Sequence, residues 1–210
     1  YWVAHGTRAF YFRRRPGEDF IQGAMLAGRR FYEAAFLSEL LRRLEGRAGA
    51  AVDAGANIGN HAVFLAAIGG RPVAAFEPVA ANHALLCENI ALNGLQERVT
   101  AHRAALGETA GTIRLAAQRA GNHGSFAASE AAGAEEAPLL PLDATLSGAP
   151  EGVRLPRPVA LLKIDTEGHE VPVLRGARGL LAADRPVVAA ECESLATLEA
   201  MLEVLGPLGY

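Results

Sequence analysis

Half of the 210 residues are hydrophobic and a fifth are charged, the usage of an ordinary globular chain large enough to bury one core. A formal net charge of −3 gives no long-range attraction for nucleic acid or an anionic membrane surface, and neither a transmembrane-length apolar run nor a signal-peptide pattern is present. Cys87 and Cys192 show no CxxC spacing, which fits a reducing, cytoplasmic compartment with both thiols buried as small apolar groups.

Residues 1–30 carry no usable motif and are set apart as an N-terminal segment, with Arg13, Arg14 and Arg15 read as a solvated loop. The chain begins at Tyr1 rather than Met, so an upstream segment is expected. Residues 31–44 predict a helix, with Leu37, Leu40, Leu41 and Leu44 at helical spacing and Gly46 and Gly49 after it. Strands follow at 50–53, 72–76 and 99–106, with helices at 58–68 and 80–92 between them. Residues 107–156 break the rhythm with a hairpin arm at 112–116 and an apolar stretch at 139–146, and are read as an insertion over the sheet. The alternation resumes with a strand at 159–165, a helix at 170–183, a strand at 186–192 and a helix at 195–205. This βαβ order predicts an α/β fold for residues 31–210, a doubly wound, mostly parallel sheet with helices on both faces. The chain stops where another strand is expected, so the sheet's C-terminal edge is expected to lie beyond it.

The strongest local signal is VDAGANIGNH, residues 52–61. A strand runs into small residues and then a helix, which lets a ligand approach the backbone at a helix N-terminus. A nicotinamide site prefers G-x-G-x-x-G, but Asn57 stands where the middle glycine belongs. Asp53 at the strand end would repel a pyrophosphate and suit a cation. S-adenosyl-L-methionine carries an ammonium, a sulfonium and no phosphate, so the turn fits it better. Glu77, at the end of the next strand, is placed to accept both ribose hydroxyls. Asn60 and His61 enter the helix as cofactor contacts or as caps.

A second cluster, KIDTEGHE at 163–170, holds three carboxylates, a histidine and the single lysine of the chain. Ligands of open α/β sheets sit outside the carboxyl ends of the strands. Strand periodicity puts Lys163 and Asp165 on one side, Glu167 follows if the chain stays extended, and Gly168 turns into a helix opened by His169 and Glu170. His169 has the best-placed ordinary pKa for a general base, and Asp165 and Glu167 serve if burial or repulsion raises theirs. Asp165 is assigned near the cofactor and Glu167 or His169 near the acceptor, with Lys163 offsetting carboxylate charge. The bland readings are a helix-capping Glu170 and a structural Lys163–Asp165 ion pair. Asp165, Glu167 and His169 match no standard ligand spacing, so no metal is assigned. Residues 121–125 read as a closing loop or a plain turn, Asp143 as a structural carboxylate and Glu191 as a substrate contact.

These segments, with FEP at 76–78, ALGE at 105–108, PLDATL at 141–146 and VLRGA at 173–177, resemble the FkbM-type family of S-adenosylmethionine-dependent methyltransferases. The resemblance implies a class I methyltransferase fold and transfer to a hydroxyl of a sugar, glycan or natural-product intermediate. It places Asp53, Gly55, Asn57 and Gly59 in the cofactor turn, flanked by Ala56 and Asn60. Glu77, beside Pro78, would hold the ribose, and Ala104 and Ala105 would lie near adenine. A nicotinamide-dependent oxidoreductase and a non-catalytic cofactor-binding relic are the competing readings.

Overall fold

The structure, a computed structural model, describes residues 1–15, 17, 19–117, 126–128, 134–146, 153 and 155–210. The 121–125 loop lies outside them. The chain opens with β1 (Trp2–His5), β2 (Arg8–Tyr11), α1 (Phe20–Gly28) and α2 (Ala34–Arg43). Next come β3 (Ala50–Ala54), α3 (Asn60–Ala67), β4 (Val73–Phe76), α4 (Ala80–Leu92) and β5 (Val99–His102). The middle holds β6 (Ala105–Leu106), β7 (Gly111–Ala117), β8 (Phe126–Ala128), β9 (Glu135–Leu140) and α5 (Leu142–Leu146). It ends with β10 (Val159–Ile164), α6 (Glu170–Arg175), α7 (Arg178–Asp184), β11 (Val187–Ala190) and α8 (Leu195–Leu205).

Five strands form a parallel sheet in the order β11-β10-β3-β4-β5. Its strands are nearly continuous apolar runs because both faces are covered. Ala51, Val73, Ala75 and Leu161 face a core shared with α1 to α4, while Val52, Ala54, Ala74 and Leu162 face one shared with α5 to α8. That is the doubly wound arrangement the alternation predicts. The strand order reverses between β3 and β10, which opens a crevice at their carboxyl ends. The 107–156 region contributes most of a second sheet, ordered β6-β9-β7-β8.

Three predicted elements are corrected. The strand at 99–106 leaves the main sheet after His102, where Ala104 N–H bonds back to His102 C=O at 3.0 Å, and β6 pairs with β9 instead. The helix at 170–183 breaks at Gly176, and Asp143 restarts it by accepting from Gly179 and Leu180 N–H at 2.7 and 2.8 Å. The helix at 31–44 begins only at Ala34, because Asn60 pins Tyr32 through bonds of 3.0 Å to both its N–H and C=O. Both cysteines are exposed, not buried; Cys87 lies on an exposed position of α4 and Cys192 in the connection between β11 and α8.

Residues 1–30 join the main core. Phe10 and Phe12 pack on Phe31, which meets Phe64 of α3 edge to face at 5.1 Å. The extended chain after β2 lies along α4 and is held by asparagine side chains. Asn93 bonds both Tyr11 N–H and C=O, at 2.9 and 2.7 Å, and Asn89 accepts from Arg13 N–H at 2.6 Å while donating to Ile58 C=O at 2.8 Å. Asn89 is fully buried, so Asn89→Ala strands a donor and an acceptor away from water. We expect it to lower unfolding free energy by about 2 kcal/mol in urea denaturation.

Candidate functional site

The β3–α3 turn is shaped by backbone that only certain residues tolerate. Gly55, Asn57 and Gly59 all have positive φ, at 76°, 50° and 88°. A Cβ on Gly55 would overlap the Asp165 carbonyl, and one on Gly59 would overlap Leu86. The turn therefore lies directly against the β10 exit loop.

Behind the turn sits a buried ion pair. Asp53 and Lys163 are register partners on β3 and β10, 0% and 3% exposed, with Nζ 3.0 Å from Oδ1. Lys163 also donates to Gly55 C=O at 3.1 Å and lies 3.5 Å from Asp165 Oδ2. Burial opposes its charge, but the two carboxylates outweigh that and hold its pKa above the ordinary value.

Glu77 ends β4 almost fully buried. Its Oε2 accepts from Asn57 N–H at 2.8 Å, and its Oε1 accepts from Val79 N–H at 2.9 Å and Asn82 Nδ2 at 3.4 Å. Burial pushes this carboxyl up to about 7 despite those donors and Lys163. Across the crevice, Glu170 is structural: its Oε1 accepts from Thr166 N–H, Thr166 Oγ1 and Gly168 N–H at 2.9 to 3.1 Å. It ties residues 166–168 into a turn in which Glu167 takes φ 55°. Glu167 thus leaves the extended path assumed from the strand period. Burial lowers the His169 pKa, and its Nε2 is buried with no hydrogen-bond partner among the described residues. Glu191, just past β11, is raised to about 7 by partial burial and by the Asp165 charge.

Between these walls lies a cavity of about 130 Å³. Gly55, Ala56, Asn57 and Asn60 form one side, with Glu77, Pro78, Ala104 and Ala105 beyond them. Lys163, Asp165, Glu167 and His169 form the opposite lip. Three of the residues assigned to the site do not line it. Gly59 packs under Leu86, Asp53 lies behind the turn with its charge already matched by Lys163, and Glu191, assigned as a substrate contact, stands just past β11. Asp53 therefore does not present its charge to a ligand.

The structure adds residues that the sequence left unassigned. Tyr32 and Ile21 close the cavity from the N-terminal side, Asn82 reaches it from α4, and Ile113 and Leu115 from β7. His61, read from the sequence as a cofactor contact or a cap, lines it too, buried, with Nε2 3.2 Å from Glu33 Oε2. Asn82 had a weak signal, being a polar position on an inward face; Ile21 and Tyr32 had none. Among the described residues no group of three or more His, Cys, Asp or Glu side chains is arranged to hold a metal ion, and no helix is long and apolar enough to cross a membrane.

A parallel sheet with this switch point, a glycine turn after β3 and an acid ending β4 define a Rossmann-like α/β fold with its site at the crevice. Among the solved structures that share it are two methyltransferases of the class I fold. FkbM methyltransferase from Methylobacillus flagellatus KT superposes with a TM-score of 0.54 at 20% identity, covering 76% of this chain and 37% of that one. Precorrin-6y C5,15-methyltransferase from Geobacter metallireducens GS-15 gives 0.50 at 16% identity, covering 84% and 71%. The chain thus spans little more than a third of the Methylobacillus protein. No functionally curated protein matches the sequence. Residues 53–210 match the sequence profile of the methyltransferase FkbM domain, and the chain belongs to that family.

Removing Lys163 leaves Asp53 charged and buried with no cation. Lys163→Met is expected to cost roughly 3–5 kcal/mol of stability, and Asp53→Asn combined with it to recover most of that loss. Urea unfolding of the two single variants and the double variant measures this coupling.

Proposed function

We propose that this chain binds S-adenosyl-L-methionine and methylates a hydroxyl on a sugar, glycan or natural-product acceptor. The observation that carries this reading is the charge balance of the crevice. Lys163 is held between Asp53 and Asp165, so among the described lining residues the lysine charge is already matched and the wall is rich in carboxylates, Glu77, Asp165 and Glu167. A pyrophosphate would meet those carboxylates without an unmatched lysine or arginine among the described lining residues, which weighs against a nicotinamide cofactor. A cationic, phosphate-free cofactor suits it.

The residues present fit that group. Of the about four lone-pair sites of an ionised carboxylate, Glu77 commits three to Asn57, Val79 and Asn82 and keeps one, on Oε2. That site suits a hydroxyl of a ribose diol. Phe76, Ala104, Ala105, Leu106, Ile113 and Leu115 supply apolar surface for a purine. Asn57 Oδ1 is a buried acceptor with no partner among the described residues, free for an ammonium on the turn. When bound, the cofactor supplies an electrophilic methyl on a cationic sulfur. The protein's share is to orient the acceptor and to take its proton. His169 is suited to the second task because burial keeps its imidazole neutral. Asp165, tied to Lys163, stays ionised and contributes charge rather than proton transfer.

Calorimetric titration with S-adenosylhomocysteine tests the reading. The wild type is expected to bind, and Glu77→Ala to weaken binding at least about tenfold, roughly 1.4 kcal/mol. A folded wild type that binds NADH and not S-adenosylhomocysteine would sink the proposal. The pH dependence has a definite sign. The ribose hydroxyls favour ionised Glu77, whose free-state carboxyl titrates at about 7, so binding must expel a proton at lower pH. Affinity should fall by up to about tenfold per pH unit below that point and level off above it.

A further inference from the structure

The N-terminal segment lies outside the stretch that matches the family profile, yet it runs into the wall of the crevice. Asn93, Asn89 and Asn82 share one face of α4 and meet the extended chain at Tyr11, Arg13 and Arg15 in turn. The first two rungs use backbone amides. From Asn93 to Asn89 the helix advances about 6 Å, close to the roughly 6.6 Å of two extended residues. From Asn89 to Asn82 it advances about 10.5 Å, so a backbone amide two residues on falls short. The third rung is made by a long side chain, with Arg15 Nη2 donating to Asn82 Oδ1.

That contact fixes which way the Asn82 amide points. With Oδ1 turned to a guanidinium, Nδ2 faces Glu77 Oε1 at 3.4 Å. Turned the other way, Asn82 would set a carbonyl oxygen against a carboxylate. Arg15 is itself held: its side chain is 10% exposed, its N–H donates to Gln22 Oε1 at 3.0 Å, and Nη1 lies 3.7 Å from Asp19 Oδ2. We propose that Arg15 is a positioning residue that, through Asn82, sets the Glu77 carboxylate to receive a cofactor diol, making residues 1–31 a working part of the cofactor site. The proposal rests on the S-adenosyl-L-methionine reading for the identity of the diol.

Charge supports the geometry. Among the described residues Lys163, from β10, acts on Glu77, and the Glu77 charge acts on Arg15; Asp19 faces Arg15 from the far side. Burial drives the Glu77 carboxyl up, and because a charge–charge attraction is mutual the guanidinium that Glu77 stabilises opposes that drive. Losing Arg15 should therefore both free the Asn82 amide and make Glu77 harder to ionise.

The test is calorimetric titration of S-adenosylhomocysteine into wild type, Arg15→Met and Arg15→Lys at about pH 7 and about pH 9, on either side of a raised carboxyl titration. Arg15→Met should bind at least about tenfold more weakly at the lower pH and within about threefold of wild type at the higher one. Arg15→Lys, which keeps the charge, should recover most of the affinity. An equal loss at both pH values, or none, overturns the proposal, since damage to packing alone would not depend on pH. If Arg15→Met does not fold, Arg15→Gln carries the same comparison. Carbon-13 NMR titration of the Glu77 carboxyl in the ligand-free protein gives a second readout. Its midpoint should rise by about one pH unit in Arg15→Met, and an unchanged midpoint overturns the coupling. If the wild type binds no S-adenosylhomocysteine, the cofactor reading fails, and this titration still decides whether Arg15 governs Glu77.

Discussion

The pairing of Asp53 with Lys163 across the β3–β10 switch point is the constraint on which the site depends. Neither charge can be buried alone without a penalty of several kcal/mol, so the two strand ends are held in register by mutual need. The same ammonium reaches Gly55 C=O and approaches Asp165. One group thereby fixes the glycine turn, the exit loop of β10 and the distance between them. It also sets the character of the crevice. A lysine at the mouth of a sheet would ordinarily invite phosphate, but one clamped by two carboxylates leaves its surroundings electronegative.

Much of this was legible because it is local. The β3 strand, its glycine turn and the following helix are adjacent in sequence, and the acid ending β4 follows from the same strand-helix-strand arithmetic. What failed was whatever required knowing a neighbour from elsewhere in the chain. Asp53 reads as a ligand's counter-ion until the register shows Lys163 beside it, 110 positions later. Gly176 reads as a tolerable helix glycine until the second sheet arrives against it. The β1–β2 hairpin did carry a signal, since Val3, Phe10 and Phe12 are inward positions around a Gly6 turn at φ 57°, but its strands are too short for alternation to stand out. The asparagines of α4 were opaque for another reason. A helix surface reads as polar whether it faces water or takes the place of a neighbouring strand.

The lip on the β10 side is rigid through hydrogen bonding, not through packing. Glu170 gathers three donors from residues 166–168, satisfying a buried carboxylate with backbone and hydroxyl dipoles instead of a cation. Those bonds hold Glu167 in a left-handed conformation that a non-glycine residue seldom adopts. Asp165, Glu167 and His169 are thus presented on a loop held by its own hydrogen bonds, and such internal bonding reduces the ordering cost of binding. The crevice therefore has one wall set by an ion pair and one set by a carboxylate acting as a backbone organiser.

The contact between the second sheet and α6 has a consequence for how such a protein can diversify. Side chains are absent at its closest point: a Cβ on Gly176 would overlap Gly107 C=O, and one on Gly107 would press on Leu139 and His169. Main chain meets main chain, so the gap between sheet and helix does not depend on which residues surround it. Ile113 and Leu115 on β7 project into the crevice from a scaffold whose spacing is already settled. Substitutions there can reshape the apolar side of the pocket while leaving the Gly55 turn and its ion pair untouched.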